Sequence, residues 1–132
     1  MPITELSTVV VPVSDQDAAI AFYSEVLGLE KVLDFTYESG ERWVEVAPPG
    51  QIISLCLVAS DAPGVETGIA LCSDDVPGDL ATFRERGARV DEAPLARGEV
   101  VLWAGAPLAG SPPQFRVWDP DGNSVLIVAT VP

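Results

Sequence analysis

The side chains able to do chemistry are few, and the most versatile one is missing: the 132-residue chain has no histidine. That removes the commonest general base and the commonest metal-binding side chain, and with them any Ser-His-Asp or Cys-His mechanism. Glu45 stands two positions after Trp43 in Arg42-Trp43-Val44-Glu45-Val46-Ala47. That run reads as a strand, so Trp43 and Glu45 share a face. A carboxylate beside an aromatic suits holding a cation or taking a proton; a solvated strand residue is the plainer reading, since Glu is rarely buried. Cys56 and Cys72 have no metal-binding spacing, and each reads as a small apolar strand residue rather than half of a disulfide. As a nucleophile Cys56 would need an activating partner, and no histidine exists to supply one. Arg42 and Arg116 are candidate anion anchors, or else surface or interface charges. Asp119-Pro120-Asp121-Gly122-Asn123 is a turn with Gly122 free to take positive φ. It lacks the further oxygen ligands and closing Glu of a calcium loop.

The 20 acidic and 7 basic side chains give a formal charge of −13. So negative a surface repels phosphate backbones, which excludes nucleic acid as the expected partner; it favours solubility and attracts cations. No apolar run approaches the length of a membrane helix, and Met1 to Glu5 carries no signal-peptide pattern. A soluble, cytoplasmic protein of one domain, residues 1–132, is expected.

These residues must be positioned by short strands and two helices. Residues 6–13 are β-branched and apolar and predict a strand, with Pro12 pointing to an edge or bulge. Asp15 can cap a helix over 16–27, where Ala19, Phe22, Tyr23, Val26 and Leu27 recur at helical spacing and Gly28 follows as terminator. Strands are predicted over 30–38, 41–47 and 52–58, and Ser60 to Gly64 reads as a linker. The pattern then repeats. A strand over 67–73 precedes a helix capped by Asp74-Asp75 and running to about Arg86, with Gly87 after it. Strands follow at 88–93, 99–104, 114–118 and 124–129.

The repeat is metrical. Ser14-Asp15 and Gly28 return as Ser73-Asp74 and Gly87, 59 positions on, and Pro48-Pro49-Gly50-Gln51 returns as Pro120-Asp121-Gly122-Asn123, 72 on. The difference assigns extra residues to module two, and Gly105–Pro113, rich in Gly, Ala and Pro, reads as the loop that holds them. Module one spans about 4–60 and module two about 66–130.

Three stretches in this order resemble the vicinal-oxygen-chelate superfamily of glyoxalases, bleomycin-resistance proteins and dihydroxybiphenyl dioxygenases. They are Val13-Ser14-Asp15 with Ala21-Phe22-Tyr23-Ser24-Glu25-Val26-Leu27-Gly28; Asp74-Asp75-Val76 with Arg86-Gly87-Ala88; and Phe115 through Asn123. The resemblance implies an α+β fold in which two βαβββ modules form a curved, cup-like mixed sheet with helices outside. It also implies a frequent homodimer and a pocket in the cup. Metal-using relatives place His or Glu on the first and last strands of each module. The matching positions here are Thr8, Ser54, Thr67 or Gly68, and Leu126. None offers an imidazole or carboxylate, so no metal or other cofactor is expected. The chain is thereby similar to the metal-free branch of the superfamily, whose members hold a ligand without chemistry.

Strand parity then places Val10 and Pro12 with Thr8, Cys56 with Ser54, and Ser124 and Val128 with Leu126 on the pocket face, leaving Val9, Val11, Val13, Val125 and Ile127 for the helices. Trp43, Trp103, Trp118, Phe35, Tyr37 and Phe115 fall in strands of the cup. They are candidates for ligand contact, or else fill the core or a dimer interface. Arg116 shares parity with Trp118. The function expected first is metal-independent binding of an aromatic or cationic small molecule. An isomerase or lyase using Glu45 as base, and an accessory domain whose cup is filled by its own side chains, are the alternatives.

Overall fold

The computed structural model describes residues 2–131. The chain divides into two compact units between Pro63 and Gly64. In module one, strand β1 (Thr8–Val13) leads to helix α1 (Gln16–Ala21), and strands β2 (Glu30–Thr36), β3 (Arg42–Ala47) and β4 (Ser54–Ala59) follow. The four strands form a mixed sheet in the order β1-β4-β3-β2, with β1 and β4 parallel. β1 is therefore an edge strand, which explains how Pro12, without an N–H, is accommodated in it.

Burial follows the pleat. Val11, Val13, Val44 and Val46 are fully buried, whereas Val10 is 55% exposed. Asp15 caps α1, its carboxylate accepting from the Ala18 amide at 3.1 Å. The side-chain amide of Gln16 donates to the Arg42 and Leu57 carbonyls at 2.8 and 2.9 Å, tying the helix start to β3 and β4.

The helix predicted over 16–27 is not uniform. After Ala21 the backbone widens into a π-helical turn, Phe22–Val26, and the Leu27 amide donates to the Phe22 carbonyl at 3.3 Å. The reason lies in the repeat. The residue that caps the second helix is Asp75, which accepts from the Gly78 amide at 3.0 Å; Asp74 instead accepts from the Thr130 hydroxyl. The caps are thus 60 positions apart, while Gly28 and Gly87 are 59 apart. Module one has one more residue between cap and terminator, and a π-helical turn is how a helix absorbs one extra residue.

In module two, β5 (Glu66–Ser73) leads to α2 (Val76–Glu85), whose Val76, Leu80 and Phe83 are buried at helical spacing. Strands β6 (Arg89–Val90), β9 (Gln114–Trp118) and β10 (Ser124–Ala129) complete a second mixed sheet in the order β5-β10-β9-β6. Phe83 meets Phe115 with ring centroids 6.1 Å apart, which seats α2 against β9.

Between β6 and β9 the stretch read as a loop holds structure of its own. Strands β7 (Val100–Trp103) and β8 (Ala106–Ala109) form a separate two-stranded hairpin. The predicted strand 99–104 is therefore half of this insertion and not part of the module sheet. Its tight turn has Ala104 at φ +51° and Gly105 at φ +77°, the left-handed pair that suits two-residue hairpins. Residues 119–123 form the expected turn. The Asp119 carboxylate accepts from the amides of Asp121 and Asn123 and from the Asn123 side chain, at 2.8 to 2.9 Å. Its oxygens are spent on the turn itself. No helix among the described residues is long and apolar enough to cross a membrane.

Candidate functional site

Sheet register decides which face carries Trp43 and Glu45. Glu45 lies opposite Cys56 across β3 and β4, and Thr8 lies opposite Ser54 across β1 and β4. Trp43, Glu45, Ser54, Cys56 and Thr8 therefore share one face of module one, the face turned away from the buried valines. Arg42 belongs to the other face. Its guanidinium grips both oxygens of Asp34 at 2.8 and 2.9 Å and reaches Asp17 of α1 at 2.8 Å. Arg42 beside it, reinforced by Lys31, holds the Asp34 carboxyl well below the usual carboxylate range. Arg42 is thus occupied by aspartates and is not an open anion anchor.

On the shared face the polar groups form one cluster. The Trp43 indole N–H donates to Glu45 Oε2 at 2.6 Å, and the Ser54 hydroxyl lies 2.5 Å from Glu45 Oε1. Thr8 Oγ1 is 3.0 Å from Ser54 Oγ and 2.9 Å from the Ser54 carbonyl. Each hydroxyl has one proton, which fixes the assignment. Ser54 donates to the Glu45 carboxylate, and Thr8 donates to the carbonyl. Glu45 is held as an acceptor on both oxygens.

Cys56, directly across from Glu45, is fully buried. Burial, and then the Glu45 charge, push its thiol up to about 11. It stays a protonated packing residue, as its lack of an activating partner predicts.

The neighbours of the cluster on β2 were not singled out by sequence, apart from the aromatics. Leu33 lies opposite Glu45 and Phe35 opposite Trp43. Phe35 meets Tyr37 edge to face, with ring centroids 4.7 Å apart. All three are exposed, Phe35 by half. An exposed apolar strip thus flanks a fixed carboxylate. A cleft of about 470 Å³ lies at the Arg42–Trp43 end of β3, walled also by Gln16, Val58, Ala59 and the turn Ser39–Gly40–Glu41. Trp43 is shared between cleft and cluster; Glu45, Ser54 and Thr8 do not line the cleft.

In module two the predicted residues play different parts. Trp103 sits on the inserted hairpin, 5% exposed, and its indole donates to Ser124 Oγ at 2.8 Å. It is a buried packing residue. Phe115 is fully buried against α2, having the opposite parity to Trp118. Arg116 is locked to Asp91 by the Nε and Nη2 edge of its guanidinium, at 3.0 and 2.8 Å, and its own amide donates to the same carboxylate. It is no more available as an anion anchor than Arg42. Trp118 is half-buried with the Arg89 guanidinium 4.3 Å and that of Arg116 5.2 Å from its ring centroid, so its π-face already has cations. Asp91 and Arg89 gave no sequence signal, because Arg89 is placed by the pairing of β6 with β9, opposite Trp118, and Asp91 follows that strand directly.

The donor set does not fit a metal. In module one Thr8 and Ser54 contribute neutral hydroxyls, both engaged. In module two the true cap, Asp75, makes Gly68 rather than Thr67 the counterpart of Thr8, and Leu126 has no donor atom. No group of three or more Cys, Asp or Glu side chains comes together among the described residues. Hard divalent ions need several charged oxygens, and softer ones need imidazole or thiolate.

With this geometry in view, the comparisons are consistent. Residues 5–127 match the Glyoxalase/Bleomycin resistance protein/Dioxygenase superfamily. TnmS3, an antibiotic binding protein from Streptomyces sp. CB03234, is 34% identical over 99% of both chains, with a TM-score of 0.78. A glyoxalase/bleomycin resistance protein from the same organism is 35% identical over 94% of this chain and 99% of its own, with a TM-score of 0.72. A superfamily member from Sphaerobacter thermophilus DSM 20745 is 28% identical over 98% of this chain and all of its own, with a TM-score of 0.81. No curated protein matches the chain.

Proposed function

The chain belongs to the Glyoxalase/Bleomycin resistance protein/Dioxygenase superfamily, and within it we propose a metal-independent binding protein that holds an aromatic or cationic small molecule against the Trp43–Glu45 face of module one. One observation carries this reading: the Glu45 carboxylate is fixed between the Trp43 indole and the Ser54 hydroxyl, beside the exposed Leu33, Phe35 and Tyr37. A flat cation placed there gains apolar contact and a charge partner at once, and the carboxylate needs no reordering to meet it. The net charge of −13 favours its approach. The description of TnmS3 as antibiotic binding supports a ligand of drug size.

Proton abstraction by Glu45 is the weaker reading. Both of its oxygens already accept hydrogen bonds, so a substrate proton would compete with Trp43 and Ser54. The homodimer implied by the resemblance is part of the proposal, and sedimentation at the mass of one chain would remove it. The binding site itself is tested by titration with thioflavin T, a flat aromatic cation, followed by tryptophan quenching. Saturable binding without product is expected, weakened about tenfold or more in Glu45→Gln, as for a central charged contact. Equal quenching of both proteins would refute the assignment, and turnover lost only in Glu45→Gln would favour the enzyme.

A further inference from the structure

Module two carries an inserted hairpin, β7–β8, that has no counterpart among the described residues of module one. Ser124 and Leu126 lie on the sheet face turned from α2 and are 1% and 5% exposed, as buried as Ser54 and Cys56 on the matching face of module one. The inserted β7–β8 hairpin reaches Ser124. At its tip, Trp103 donates to Ser124 Oγ at 2.8 Å and the Ala104 amide donates to Glu66 Oε1 at 3.0 Å. Ala104 Cβ also stands 3.9 Å from where a Cβ on Gly68 would be. At its far end, the Gln114 side chain holds the Ala109 carbonyl at 2.6 Å. The tip thus rests on the module-two counterpart of Thr8.

The hairpin is nonetheless a sheet to itself, paired with neither four-stranded sheet. Its Val100 and Leu102 are 61% and 74% exposed, so closure buries little beyond one indole. A two-stranded hairpin is marginal by itself and depends on such anchors. Elements with few buried apolar contacts open locally, below the free energy of global unfolding.

We propose that this hairpin is a hinged cover over a second aromatic site. The site takes a flat bicyclic ring bearing an N–H donor, and in the closed state the chain's own Trp103 occupies it. Opening removes the indole and leaves the Ser124 hydroxyl as acceptor, with Leu126 beside it and the open space over Gly68. A free ligand of the same shape and donor competes with Trp103 and holds the hairpin away. Its acceptor for the ring N–H is a neutral hydroxyl, whereas the module-one site is built around the Glu45 carboxylate.

Native-state hydrogen exchange of the full chain, with and without indole, tests this. Amides in 100–109 should exchange about tenfold or more faster than those in β9 and β10, as expected of a sub-global opening. Indole should speed the hairpin further and leave β9 and β10 unchanged. Ser124→Ala, which removes the acceptor, should speed the hairpin several-fold without indole; Trp103→Phe, which removes only the donor, does the same if the first variant folds poorly. Hairpin exchange in step with β9 and β10, or insensitive to indole, overturns the proposal. Glu45→Gln should leave hairpin exchange unchanged, so this reading and the module-one site fail separately.

Discussion

Trp43 and Glu45, two positions apart on β3, are joined side chain to side chain, the indole N–H donating to Oε2 at 2.6 Å. Residues at this spacing share a strand face but need not touch; here the rotamers turn toward each other, and Ser54 holds the other oxygen. Glu45→Gln keeps the shape and removes the charge. The amide has one acceptor oxygen for two donors, so one of them loses its partner. The expected cost is about 1–2 kcal/mol of stability, as for an unsatisfied donor in a partly buried site. Trp43→Phe should cost less in this network, because it removes a donor and leaves Glu45 with Ser54. Urea denaturation of the two variants checks the order, and an equal or reversed order would mean that ring packing, not the hydrogen bond, dominates.

The buried Cys56 gives the stability a dependence on alkaline pH. Its thiol is pushed up to about 11 in the folded chain, from 9.0 for an ordinary thiol, first by burial and then by Glu45. A raised folded value means that the unfolded chain loses this proton first. The contribution is therefore fully present below pH 9 and is lost as the pH rises through the window to about 11. Alkylation by iodoacetamide reads the same effect. Exposed Cys72 should be modified at pH 8 while Cys56 is spared until the chain unfolds. Modification of both thiols at equal rates in native conditions would contradict the burial that drives the shift.

Arg116 and Asp91 form the most buried ion pair described, with side chains 20% and 13% exposed. Asp91→Ala strands a half-buried guanidinium and the Arg116 amide together, and should cost about 2–3 kcal/mol. Replacing both, Asp91→Ala with Arg116→Met, removes the stranded charge and should recover much of that loss. Thermal unfolding of the single and double variants decides it. A double variant as unstable as the sum of both singles would show that the pair acts through packing alone.

Much of this architecture was legible because it is written twice. Asp15 and Gly28, with their module-two counterparts, mark the helices by capping chemistry that depends only on local backbone. Strand parity placed Val11 and Val13 inward and Thr8 with Ser54 on the other face, because the pleat has a fixed period. The hairpin at 100–109 was not legible. Its second strand, Ala106-Pro107-Leu108-Ala109, is as poor in β-branched residues as a loop, and only the pairing with Val100–Trp103 makes it a strand. The fates of Arg42 and Arg116 were hidden for a related reason. Each meets a carboxylate at least eight residues away in sequence, Asp34 or Asp91, and such partners are set by tertiary packing.

The π-helical turn makes the sharpest test of the repeat. If Phe22–Val26 widens because module one has one residue too many between cap and terminator, then deleting Ser24 should let an α-helix run from Asp15 to the glycine. The spacing would then match Asp75 to Gly87 in module two. Ser24 is half-buried and follows Tyr23, the fully buried anchor, so Phe22 and Tyr23 keep their register from the cap. The deletion should therefore fold, at a loss of about 1–2 kcal/mol from repacking Val26 and Leu27. Deleting Ala81 from α2 removes a residue that no bulge supplies. It rotates Phe83 by about 100° away from Phe115, the angle of one helical residue, and loses a buried aromatic at about 3–5 kcal/mol. Circular dichroism melts of the two deletions should separate widely. If both unfold alike, the extra residue in module one is part of the core and not slack.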